Sequence, residues 1–260
     1  MMKYILSVIF SFGLILGSIS TVNASNLPAS VRAEYFACKF DDGKDFNDLY
    51  KWIEKWNKWM DDSDLNQYSG NILTPLYRSP NDHHDFVWVG ITDNAEVMFT
   101  ARSEYIKSNL QASWPAKSCP AAFTARQYLF DNPEGWEMNY DEFVAIFRDC
   151  NMGEGKTIED VYVARKENLR ELRSNGFNHH SRVIIPGAGV PAGIGAYDFM
   201  MLSVQSSLAD WGINSDKFGD FRGSLSSTSD VYTCEKPRAF IGKRIRHKNK
   251  HSKSENSAGL

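Results

Sequence analysis

"CKFDDGKDFNDLY" (Cys38–Tyr50) and "CNMGEGKTIEDVY" (Cys150–Tyr162) say nearly the same thing 112 residues apart. Five of the thirteen positions are identical: Cys, Gly, Lys, Asp and Tyr. Phe40/Met152, Asp42/Glu154, Phe46/Ile158 and Leu49/Val161 are conservative pairs. Unrelated stretches of ordinary composition share about one identity. The same offset aligns Asn66 with Asn178, Ser69 with Ser181 and Ile72 with Ile184; after one residue of slip, Asp85-Phe86 meets Asp198-Phe199. The pattern is that of a tandem duplication.

Working outward, each copy reads alike. An extended apolar run leads in ("VRAEYFACKF", "EFVAIFRDCNM"), and a Gly-Lys turn follows it. The next segment has helical spacing, placing Phe46, Leu49, Tyr50, Ile53, Trp56, Asn57 and Met60 on one face in copy one. Ile158, Val161, Tyr162, Leu169 and Leu172 do so in copy two. Two strand-like runs come next: "YSGNILTPLY" and "DFVWVGIT", matched by "SRVIIPGA" and "YDFMMLSV". A second helix follows, capped by Asn94 in copy one and weaker at "LADWGINSDKFGDF" in copy two. A last strand, "FTARQYLF" or "RAFIGKRI", closes each copy. The order β-α-β-β-α-β, twice, is a ferredoxin-like split βαβ.

A four-stranded sheet with helices on one face leaves its other face bare, and two such sheets in one chain are expected to pack bare face to bare face. On this element order and duplication, over about residues 30–246, the chain resembles the dimeric α+β barrel superfamily, with both halves fused. It also resembles uncharacterised exported bacterial proteins with a "GK…DL…KWNxWM" signature, present here from Gly43 to Met60. The expected fold class is α+β: two tandem ferredoxin-like repeats packed sheet to sheet as an intramolecular barrel. The expected boundaries are a signal peptide at 1–24, repeats at 25–132 and 133–246, and a basic disordered tail at 247–260. With both barrel halves in one chain, a monomer is expected.

Four Cys in an exported protein suggest two disulfides, with three possible pairings. The split βαβ topology has sheet order 4-1-3-2, so the end of its first strand lies beside the start of its last. Cys38 and Cys119 hold those places in copy one, and Cys150 and Cys234 in copy two. One bridge per copy is therefore expected. The absence of any CxxC spacing argues against thiol metal ligands.

Export is read from the N-terminus. Lys3 precedes the apolar "YILSVIFSFGLILGSIS", and Val22-Asn23-Ala24 offers small residues at a cleavage site. No later window approaches the ~18 apolar residues of a spanning helix, so the mature chain is expected to lack a transmembrane segment and to be periplasmic or secreted. Hydrophobic residues make up 42% of the chain, with seven Trp and sixteen Phe, enough for a substantial core. Residues 25–242 carry 22 basic against 31 acidic residues, a net charge of −9. That acidic body argues against nucleic acid as a partner.

Several motifs fail on context. "GEGKT" at Gly153–Thr157 lacks the first glycine of a phosphate-binding loop and matches "DDGKD" in the other copy, so it reads as a strand-to-helix turn. "GAGVPA" at Gly187–Ala192 precedes a strand and contains Pro191, unlike a dinucleotide fingerprint. "DDSDLNQYSG" (Asp61–Gly70), read as a calcium loop from Asp62, lacks the Gly at its sixth position and has Leu73 where the bidentate Glu belongs. Lys44 and Lys156, recurring at the turns, read chiefly as surface charges near helix starts, with a ligand carboxylate as the other possibility. The six His occur as His83-His84, His179-His180 and His247 with His251. His84 is the weak catalytic candidate. None of the six lies on a predicted helix, which counts against a haem held by a helical His, as the resemblance allows; neither cofactor nor metal is expected.

The aromatic residues Tyr50, Trp52, Trp56, Trp59 and Trp88 concentrate in copy one, whereas copy two has Asn168 and Met201 opposite Trp56 and Trp88. Asn57 sits among them, where copy two has Leu169. A buried amide there needs a hydrogen-bond partner, either a main-chain group or a ligand. The expected pocket lies between the first helix of copy one and its sheet, lined by Trp56, Asn57 and Trp88. The function this favours is binding of a small apolar or aromatic molecule. The alternative implied by the resemblance is a cofactor-independent monooxygenase or isomerase using His84, Asn57 or Trp88. An interaction protein with a filled core is the third class.

Overall fold

The computed structural model describes residues 27–77, 83–116, 118–190, 197–221 and 228–248. The signal segment, Pro191 and residues 249–260 of the tail lie outside the described residues. The strands are β1 (Val31–Lys39), β2 (Ser69–Tyr77), β3 (Phe86–Thr92), β4 (Ser118–Leu129), β5 (Phe143–Met152), β6 (His180–Pro186), β7 (Phe199–Gln205), β8 (Tyr232–Cys234) and β9 (Arg238–Arg246). The helices are α1 (Phe46–Asp62), α2 (Ala95–Lys107), α3 (Ile158–Ser174) and α4 (Leu208–Phe221). A 3-10 turn, Leu110–Ser113, follows α2. The short β8 was not anticipated from sequence.

The repeated stretch is one local device used twice. Gly43 and Gly155 take φ of 74° and 70°, a left-handed conformation that a side chain resists, and so turn the chain off β1 and β5. Asp45 and Thr157 then cap α1 and α3, with Asp48 and Asp160 completing a capping box in each. Lys44 pairs with Asp48 on the exposed first turn of α1.

The strands run in the order β7-β6-β4-β1-β3-β2-β9-β5-β8, and β7 also pairs with β5, so eight of them form a closed antiparallel barrel. Within it, β4-β1-β3-β2 and β9-β5-β7-β6 repeat the same order. The two sheets do not simply face each other: β2 bonds β9 and β4 bonds β6, edge to edge. This joining leaves neither sheet with a free edge inside the barrel. The bare faces of the two sheets become the lumen, filled by Tyr35, Val87, Val89, Phe143, Phe147, Met200 and their neighbours.

One feature of the repeat is corrected by register. Ile72 pairs with Trp88 and packs under the helices, but Ile184 pairs with Met200 and faces the lumen. Val183, opposite Met201, holds the place matching Ile72. A one-residue slip flips every side chain to the other face. Tyr68 therefore corresponds to His179, and Asn71 to Arg182.

Outside the barrel, α1 and α2 cover the first half with Leu49, Trp52, Ile53, Trp56, Met60, Met98 and Ala101. Trp52 belongs to the buried face, whereas Tyr50 and Asn57 lie at its margins. α3 covers the second half with Val161, Tyr162, Leu169 and Leu172. Disulfides join Cys38 to Cys119 and Cys150 to Cys234, one in each half as expected. No helix among the described residues is long and apolar enough to cross a membrane.

Candidate functional site

A cavity of about 210 Å³ lies between α1, α2 and the outer face of β1 and β3. Its walls include Trp52, Trp56, Trp59, Trp88, Trp114 and Tyr105. The helix spacing of Trp52, Trp56 and Trp59 sets three indoles along one side of α1, the first two stacked, and Trp88 rises from β3 to meet Trp52 and Trp56. Trp56 and Trp88 are edge to face at 4.8 Å, and Trp52 and Trp114 at 4.4 Å. The Trp52 indole N–H donates to the Leu110 carbonyl at 3.0 Å, fixing that wall. An apolar cavity of roughly 150 Å³ can hold benzene, so this one has room for a ring and a substituent.

The polar lining is concentrated in a connected group. Glu34 projects outward from the middle of β1 and is 8% exposed. The Tyr68 hydroxyl donates to Glu34 Oε1 at 2.7 Å and accepts from Trp88 Nε1 at 2.9 Å. Arg102 of α2 lies over the rings of Phe36 and Tyr105, at 4.6 and 5.5 Å. Burial pushes the Glu34 carboxyl above its ordinary range, against the opposing pull of the Arg102 charge and the Tyr68 hydrogen bond. Burial and the neighbouring Glu34 carboxylate push the Tyr68 hydroxyl well above its own range.

Gly90 makes this group possible. It pairs with Glu34 on β1 and Gly70 on β2. A Cβ on Gly90 would fall on the Tyr68 hydroxyl and Cζ and lie 2.9 Å from Cε2. The Tyr68 ring crosses the strand through the space that glycine leaves.

Of the residues singled out from sequence, Trp56 and Trp88 line this cavity. Asn57 does not. Its amide N–H donates to the Ile245 carbonyl at 2.9 Å, and Arg246 contacts its carbonyls at 3.4 Å, so it ties α1 to β9 instead of facing the cavity. His84 also lies elsewhere, stacked on Phe240 with ring centroids 5.9 Å apart. Sequence reasoning missed Glu34, Tyr68 and Arg102. The available signal was Glu34 itself, the one acidic residue in the strand "VRAEYFACK".

At matching places the second half has Ile146 for Glu34, Met201 for Trp88 and Asn168 for Trp56. His179, the counterpart of Tyr68, lies 3.4 Å from Arg165, and burial presses its pKa down to about 3. The Trp cavity lining contains no histidine, and among the described residues none lies on a helix. A haem held by a helical His therefore finds no ligand in the described residues, and no three His, Cys, Asp or Glu among them are grouped to hold a metal.

No family model matches the chain, and no curated protein matches it. Among solved structures it is similar to a dye-decolorizing protein from V. cholerae, with a TM-score of 0.51 and 8% identity over 84% of this chain and 95% of that one. It is similar also to an anthrone oxidase-like protein, with a TM-score of 0.47 and 10% identity over 85% and 95%. A chlorite dismutase from Candidatus Nitrospira defluvii in complex with imidazole gives a TM-score of 0.47 and 8% identity over 83% and 92%. At such identities the likeness shows fold alone, a mixed α+β fold with an eight-stranded antiparallel barrel and four helices.

Proposed function

We propose that this chain is an exported binder of a small aromatic or apolar molecule carrying one hydrogen-bonding group. The observation that carries the reading is the Trp-walled cavity of about 210 Å³ with Glu34, Tyr68 and Arg102 in its lining. Apolar walls supply burial, and a few fixed polar groups select orientation. The two disulfides support an oxidising compartment. The repeated strand order supports a tandem duplication of a ferredoxin-like unit, and the edge pairings within one chain support a monomer.

A second reading, a cofactor-independent isomerase or monooxygenase, is favoured by Glu34. A buried carboxyl with a raised pKa beside an apolar cavity is suited to proton transfer.

The test is titration of p-cresol, indole and a monoterpene alcohol, followed by Trp fluorescence and calorimetry. Wild type should saturate with at least one, and Trp88→Leu should weaken it at least tenfold. Met201→Leu, at the matching place in the other half, should leave it unchanged. No saturation by any probe, or equal binding by Trp88→Leu, would refute the reading. Solvent deuterium entering the bound probe with wild type but not with Glu34→Gln would move the conclusion from binder to enzyme.

A further inference from the structure

We propose that the barrel lumen holds a second site, for a small planar monoanion of the nitrate or carboxylate class, between the guanidinium groups of Arg182 and Arg244. Both line a lumen cavity of about 40 Å³, together with Asn71, Gln127 and Tyr35. The cavity lies toward the barrel end where β4 and β9 finish and β2, β5 and β6 begin. The disulfides lie toward the other end, where β1 and β5 finish.

Each arginine is held by neutral groups. Arg182 Nε donates to His180 Nε2 at 2.9 Å, and its Nη1 donates to Gln127 Oε1 at 2.8 Å. The Gln127 amide donates in turn to the Tyr35 hydroxyl at 2.7 Å. His180 is neutral, its pKa pressed to about 2 by burial and by Arg182. Its Nδ1 therefore carries the proton and donates to Asn132 Oδ1 at 2.6 Å. Arg244 Nε donates to Asn71 Oδ1 at 3.2 Å, and the guanidinium lies 4.3 Å over the Tyr140 ring.

What this corner lacks is a counter-charge. Arg246 has Asp61 and Arg238 has Asp149, but among the described residues no carboxylate pairs with Arg182 or Arg244. Burial, and to a smaller extent the Arg244 charge, lower the pKa of Arg182. Like charges brought into a low-dielectric lumen cost free energy unless an opposite charge joins them. An anion between them would neutralise that repulsion. A guanidinium presents five donors in a planar fork, and the bonds of Arg182 to His180 and Gln127 use two. A fork of this kind matches a planar oxyanion edge.

Size sets the class. A water needs about 10–15 Å³ of such space, so the cavity suits an ion of three or four heavy atoms and excludes bulky ones. Beside it, Trp136 stacks on His180 at 5.7 Å with its indole N–H buried and without an acceptor among the described residues. None of these groups lines the Trp cavity, so this site stands apart from the function proposed above.

The experiment follows thermal unfolding of the mature chain in sodium nitrate or sodium formate, against a bulky sulfonate buffer salt at matched ionic strength. Nitrate and formate should raise Tm saturably over the sulfonate control, because an anion bound only by the folded state stabilises it. Arg244→Gln and Arg182→Gln should each need at least tenfold more nitrate for half the effect, while exposed Lys58→Gln should behave as wild type. Anomalous scattering from bromide-soaked crystals should place a peak between Arg182 and Arg244. If Arg182→Gln does not fold, Arg244→Gln and the bromide position decide. Equal Tm shifts from nitrate and sulfonate, an unchanged response in Arg244→Gln, or bromide absent from this cavity would overturn the proposal.

Discussion

Replacing Gly90 with Ala tests how the cavity's polar group is held. The added Cβ would overlap the Tyr68 hydroxyl and Cζ. Tyr68 cannot swing aside freely, since its ring packs edge to face with Trp56 at 5.6 Å and its hydroxyl accepts from Trp88. Overpacking of this kind costs about 1–3 kcal/mol. Displacing the hydroxyl also breaks its bond to the Glu34 carboxyl, about 1–3 kcal/mol for leaving a buried acceptor without its donor. Relief of glycine's backbone entropy in a strand returns about 0.5–1 kcal/mol. The net expectation is a loss of about 1–5 kcal/mol in urea unfolding at pH 7, a large part of a typical domain's 5–15 kcal/mol. In a Tyr68→Leu background the hydroxyl and ring are gone, and the cost of Gly90→Ala should fall below about 1 kcal/mol. Equal costs in the two backgrounds would show that Gly90 does not serve to seat Tyr68.

Glu34→Gln should change the pH dependence of stability. Burial raises the folded-state pKa of Glu34 above its ordinary 4.5, so the folded chain binds this proton more tightly than the unfolded chain. Wild-type stability should then be full below 4.5 and fall as pH rises through the folded value, by about 1.4 kcal/mol for each pH decade between the two. The variant should lack that decline; a wild-type-minus-variant difference that stays flat from pH 4 to 8 counts against it. Replacing both Cys38 and Cys119 with Ala should lower stability by about 2–5 kcal/mol, because the bridge closes a long loop spanning 81 residues. Thermal unfolding with and without reductant checks this, and reductant should shift the doubly substituted chain less than wild type.

Local patterns were legible where local physics decides. "DDGKDFND" and "GEGKTIED" each contain a left-handed glycine, a cap and an acidic N3 residue, so the two turns follow from the residues present. Cys38 with Cys119 and Cys150 with Cys234 followed once the strand order was right. The aromatic side of the cavity was visible as a Trp surplus around α1. Asn57 misled because a helical face has a width: the residue is at its margin, where the Ile245 carbonyl was available to it. Glu34, Tyr68 and Arg102 come from three elements, and nothing in one-dimensional spacing says that β1, the start of β2 and α2 converge.

The sequence by itself determined the order of the elements other than β8, the two capped turns and the concentration of indoles in the first half, because each depends on residues close in the chain or on composition. Tertiary structure alone decided three further things. It joined β2 to β9 and β4 to β6, turning two sheets into a barrel with a lumen. It shifted β6 by one residue relative to β2, which placed Arg182 at the position matching Asn71, in the lining of the lumen cavity. It brought Glu34 under Tyr68 through the space left by Gly90. All three are contacts across long loops, where register and side-chain direction are set by packing against partners the local sequence does not name.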